Sequence, residues 1–177
     1  MDLHDEFEVR LPVAEAWTVL TDIEKITPFL PGIWLQEVEG EKYLGVVKVK
    51  VGPVTVWYEG IARYLLLDAD AHKAVLKAEG GEIHGQGKGT AVVTATLSPS
   101  ARGTRVQVVT VLSVDGRLAQ FAMGVIAAVS RNLIAEFAEN LELTVPAAPN
   151  ANTAEPVVGT ETAEGADKAP AEASPRR

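Results

Sequence analysis

The chain has 177 residues, 47% hydrophobic and 23% charged, which is enough apolar material for one domain with a real core and some chain to spare. Its 24 acidic and 16 basic residues leave a net charge of −8. That excludes the basic footprint nucleic acid demands and weighs against holding an anionic lipid surface by charge alone. Cysteine is absent, so disulfides, thiolate metal sites, cysteine nucleophiles and iron–sulfur clusters are excluded.

Met1 to Glu6 shows no basic region followed by an apolar run, so no signal peptide is expected. Leu3 to Arg10 reads as a first strand. Pro12 opens a helix, where its missing N–H costs nothing. Val13, Ala16, Trp17 and Leu20 recur at helical spacing and give that helix one apolar face. A shorter helix or turn, Glu24 to Leu30, is closed by Pro31-Gly32. Ile33, Trp34 and Leu35 follow as an apolar run beside a loop, placed for contact with a ligand, a membrane or a partner.

Strand-like segments come next. Gly45 to Val51 alternates Val47, Val49 and Val51 against Lys48 and Lys50, one dry face and one wet. Gly52-Pro53 turns the chain, and Val54 to Leu67 runs back as a long strand. Lys73 to Glu82, Gly87 to Leu97 and Thr104 to Val114 continue an antiparallel meander with short connections. Gly116 to Leu143 is expected as a single long helix whose stripe is Leu118, Ala122, Val125, Val129, Leu133, Phe137 and Leu141. Its longest apolar stretch, Phe121 to Val129, is far shorter than the roughly 20 residues that cross a bilayer. From Pro146 onward the chain carries five prolines, many alanines and no aromatic residue, and is expected to be a disordered tail to residue 177. A strand, a helical pair, a curved meander and a long last helix describe an α+β helix-grip domain over residues 1–145, with an apolar cavity expected between sheet and helix.

Glycines 80, 81, 85, 87 and 89 suggest a phosphate loop, but Glu82 and Gly89 stand where that pattern needs Gly and Ser/Thr, and the segment joins two strands. Glycines that permit sharp sheet curvature are the better reading. His4, His72 and His84 have no partners at metal-ligand spacing, and no serine sits in a nucleophile elbow. The aromatic residues say more. Val56, Tyr58, Gly60, Ala62 and Tyr64 share one face of the long strand, and Trp57 and Ile61 the other. With the first set inward, the Tyr58 and Tyr64 hydroxyls enter an apolar interior, where each either bonds a backbone carbonyl or meets a polar ligand group.

Several of these segments resemble the carbon monoxide dehydrogenase G-subunit family of the START-like (SRPBCC) superfamily. They are Ala16-Trp17 with Leu20 and Asp22, Phe29-Leu30-Pro31-Gly32, Val51-Gly52-Pro53 with Gly60, Gly87 with Gly89, Gly103-Thr104, and Gly116-Arg117-Leu118-Ala119-Gln120. Ile23 and Phe29 depart from the proline and cysteine common in the family. The resemblance implies an accessory, non-catalytic role beside an aerobic molybdenum CO dehydrogenase, at the inner face of the cell membrane. Some members carry a hydrophobic C-terminal anchor, and residues 146–177 contain no such run. That combination points to a cytoplasmic, peripheral carrier of a menaquinone-like isoprenoid quinone, with no covalent cofactor, no metal and no nucleic-acid partner. Tyr58 is the first candidate for orienting the ring and Arg117 the second. Tyr64, Phe29, Trp34, Val47 and Val56 are candidate ligand contacts, and Phe121, Val125 and Val129 are expected to line the cavity from the helix. A polyketide cyclase or aromatase on the same fold, and a pure membrane-recruitment protein, are the alternatives.

Overall fold

In a computed structural model that describes residues 1–144, the elements run β1 (Asp2–Val9), α1 (Val13–Leu20), α2 (Ile23–Ile26), β2 (Ile33–Glu39), β3 (Lys42–Val51), β4 (Val54–Asp68), β5 (Lys73–Glu82), β6 (Lys88–Ser100), β7 (Gly103–Val114) and α3 (Met123–Thr144). The tail expected from Pro146 lies outside the described residues. Seven antiparallel strands form one sheet in the order β1-β7-β6-β5-β4-β3-β2, so the first strand pairs with the last and everything between is a meander. With α3 laid against the concave side, this is the α+β helix-grip arrangement.

Local chemistry sets the boundaries. Pro12 stands at the N-cap of α1 with extended φ/ψ, just outside the helix it was expected to open. The Asp22 side chain accepts from the Lys25 N–H and starts α2, and a 3₁₀ turn over Thr27–Phe29 finishes the segment. Gly32, at φ +77, then admits β2, since the Lys48 carbonyl would sit only 2.7 Å from any Cβ there.

Three sequence expectations are corrected. Ile33 to Glu39 is the edge strand β2, and not only an apolar run beside a loop; Ile33 pairs with Val47 and Trp34 with Val46. The last helix is not continuous from Gly116. A 3₁₀ turn spans Gly116–Gln120, Phe121 is extended (φ −87, ψ 144), and α3 begins at Met123. Its buried face is carried by Ile126, Phe137 and Leu141, so the stripe is rotated away from Val125, which is 44% exposed.

Two apolar clusters form the core, one at each end of α3. The lower joins Val9, Leu11, Ala16, Leu97, Val106, Val108, Phe137 and Leu141, with Trp17, Leu20, Phe29 and Leu30 packed on it. The upper joins Leu3, Val51, Val56, Tyr58, Leu118 and Ile126, with Val47, Phe121 and Val129 packed on it. The interior is thus divided, in place of one evenly lined hollow.

Candidate functional site

Between those clusters the concave face is built from very small residues. Strand register sets Gly45, Gly60, Gly80 and Gly89 side by side across β3 to β6. The adjacent row reads Tyr43, Ala62, Ala78, Ala91. None of these eight residues belongs to either cluster, and all are half-buried. The glycine row reflects a tight bend in the sheet. A Cβ on Gly60 would lie 2.0 Å from the Glu79 carbonyl oxygen, and one on Gly45 would lie 2.6 Å from that of Trp34. α3 bridges this floor, making its main sheet contacts with β1 and β3, which lie on either side of β4 to β6. The Ser130 hydroxyl donates to the Asp5 carboxylate at 2.7 Å and pins the middle of the helix to β1. Side chains this small beneath a bridging helix give the concave face the shape a groove requires.

At one end of that groove stands Tyr58, paired in register with Glu82 and with only 8% of its surface exposed. The ring leans across the floor over Gly89, where a Cβ would lie in ordinary contact with Tyr58 Cε1 at 3.7 Å. The Tyr58 hydroxyl is buried and has no hydrogen-bond partner among the described residues. Burial raises its pKa, and the Glu82 and Asp115 carboxylates raise it further against the opposing pull of Arg117. The group is a neutral O–H donor at physiological pH. Leaving such a donor unpaired costs about 1–3 kcal/mol, so a ligand acceptor that reaches it gains that penalty back.

Glu82 marks the way out. Its side chain is 2% exposed; Oε1 lies 3.5 Å from the Arg117 Nε, and Oε2 accepts from the Arg117 N–H at 3.4 Å. Gly87 and Gly116 crowd the same carboxylate so closely that neither position has room for a Cβ. Beyond it opens a cleft of about 630 Å³ lined by Glu82, His84, Gln86, Asp115, Arg117 and Gln120 among others. Another cleft, of about 510 Å³, lies at the opposite end between β1 and the C-terminal part of α3. Exposed ion pairs of Arg102 with Glu8 and Glu142 frame it, and such pairs carry little energy.

Of the other candidate residues, Val47 and Val56 flank Tyr58 in the upper cluster, and Phe121 and Val129 pack there from the helix side. Val125 does not join them; Ile126 takes the inward position. Tyr64 is inward but occupied, because its hydroxyl donates to the Thr21 carbonyl at 3.1 Å, and burial pushes its pKa up to about 12. Phe29 lies in the lower cluster, with its carbonyl accepting from Asn140 Nδ2. Trp34 is corrected most. Pairing with Val46 turns it to the convex face, where it stacks on Trp57 at 5.5 Å with the Lys48 ammonium over the Trp57 ring. Glu82, Gly45, Ala78, Ala91 and the Asp5–Ser130 pair went unpredicted, while Ala62 was placed on the inward face.

Among the described residues no three His, Cys, Asp or Glu side chains come together to hold a metal, and no helix is long and apolar enough to cross a membrane. A conserved protein from Geobacillus kaustophilus has the same fold, with a TM-score of 0.68 at 20% identity over 80% of this chain and 92% of that one. A protein from Thermus thermophilus gives 0.58 at 14% identity over 80% and 97%. Ara h 8.0201 gives 0.51 at 15% identity over 79% and 94%. At these identities the likeness is one of fold. No curated protein sequence matches the chain. The sequence profile of the carbon monoxide dehydrogenase G subunit (CoxG) matches residues 6–145, nearly all of the domain built around the groove, and the chain belongs to that family.

Proposed function

We propose that the chain is a non-catalytic accessory subunit of an aerobic molybdenum CO dehydrogenase, carrying a menaquinone-like isoprenoid quinone in the groove under α3. Family membership supports the association with the enzyme. The observation that supports the ligand is the buried Tyr58 hydroxyl, unpartnered among the described residues, at one end of the Gly/Ala floor. A quinone carbonyl accepts one hydrogen bond there, and its prenyl tail lies on the Gly/Ala floor. At about 25 cal/mol per Å² of apolar surface, burying even part of such a tail supplies several kcal/mol. The head group faces the Glu82–Arg117 cleft, where it meets the partner enzyme, which provides the electrons. Trp34 and Trp57, paired on the convex face, suit transient contact with the membrane interface, where tryptophan is favoured.

The test is extraction. The full chain is incubated with vesicles containing menaquinone, re-isolated, and its organic extract analysed by mass spectrometry. The native chain is expected to retain quinone and Tyr58→Phe to retain much less. Absence of quinone from the native chain refutes the carrier reading, and equal retention by both proteins removes Tyr58 from it.

A further inference from the structure

Resting on that carrier reading, we propose that the groove is closed at its far end by a Tyr43–Tyr64 wall, which sets the length of linear apolar tail the protein holds. Tyr64 is the fixed half. Its hydroxyl is tied to the Thr21 carbonyl at the end of α1. Tyr43, in the alanine row on β3, meets the Tyr64 ring edge-to-face, with centroids 6.5 Å apart and planes at 87°. Behind them Trp17, Leu20, Phe29 and Leu30 pack the lower cluster, so a tail running from Tyr58 along β4 finds no continuation past this pair.

The length follows from the strand. Tyr58 and Tyr64 are six residues apart on one face of β4, at most about 20 Å at a rise of about 3.3 Å per residue. Three extended backbone bonds span at most about 3.6 Å, so a four-bond isoprene unit spans just under about 5 Å. At most about four units therefore fill the groove between donor and wall, and further units must leave through its sides into water.

Competitive binding of prenylated naphthoquinones of increasing tail length tests this on the full chain. Each added unit is expected to raise affinity at least tenfold up to about the fourth and to add little afterwards. Tyr43→Ala is expected to move that break to a longer tail, and Tyr43→Leu to move it partway. Tyr43→Phe keeps the ring and is expected to leave the break in place. Thermal melts establish that each variant is folded. An affinity that climbs steadily past the break in the native chain overturns the wall, as does a break that stays put in both folded Tyr43→Ala and Tyr43→Leu. Failure of the native chain to bind any tail length overturns the carrier reading itself.

Discussion

Replacing Ala78 with leucine decides whether the space under α3 is open or packed. Ala78 sits mid-floor, between Ala62 and Ala91, half-buried and in neither apolar cluster. Leucine adds three carbons pointing toward the helix. If they enter an open groove, each buried carbon adds up to about 0.8 kcal/mol, and partial burial leaves about 1–2 kcal/mol of stabilisation. For a domain of this size that is a rise of about 2–8 °C in Tm, at roughly 2–4 °C per kcal/mol. In a packed region the same carbons force neighbours off their rotamers and cost about 1–3 kcal/mol, so the melt shifts the opposite way. The assay is thermal unfolding of the ligand-free chain, followed by menaquinone titration. A raised Tm with lost ligand binding is expected. A lowered Tm refutes the open groove, and a raised Tm with full ligand binding places the ligand elsewhere.

Glycine substitutions should separate the bend from the helix. Gly60→Ala, whose Cβ meets backbone, is expected to cost at least about 1–3 kcal/mol in urea unfolding, whereas Gly124→Ala, in open space on α3, should stabilise by up to about 1 kcal/mol. The two inward tyrosines should part company. Tyr58→Phe is expected to leave ligand-free stability unchanged or higher while weakening quinone binding about tenfold, and Tyr64→Phe to cost about 0.5–1.5 kcal/mol through the lost bond to Thr21. High pH should destabilise the fold through Tyr64. Its folded pKa is raised from 10.0 to about 12, so its contribution is complete below about pH 10 and is lost as pH rises through 12. Tyrosinate absorbance and unfolding free energy followed together check this; stability that does not fall over that range contradicts it.

Much of the sheet was legible because alternation is a local signal. Lys73–Glu82 was placed to the residue, and the Val47, Val49, Val51 face is the inner one. β2 was missed because the register shifts between Leu35 and Glu37, which breaks the period of two: Ile33 and Leu35 face inward before the shift and Val38 after it. Val125 and Ile126 are equally apolar, so sequence spacing did not fix which one turns inward once the helix began at Met123. Tyr58 and Tyr64 looked alike for a deeper reason. The carbonyl that satisfies Tyr64 belongs to Thr21, 43 residues away, and no local pattern reports it. The groove floor needed register too. Each glycine and alanine was visible singly, but their alignment into two rows across β3 to β6 appears only once the strands are paired.

The pairing of β1 with β7 joins partners such as Asp2 and Val111, or Val9 and Thr104, roughly a hundred residues apart. Closing so long a loop is entropically slow, while the hairpins of β2 through β7 close over a few residues each. β1 is therefore expected to dock after the hairpins have formed, held at its end by the Thr104 hydroxyl donating to the Leu11 carbonyl at 2.7 Å. α3 cannot bridge β1 and β3 until both are in place and residue 144 has been made. A chain stalled before that point leaves Leu3, Phe7 and Val9 uncovered, a ready target for a chaperone.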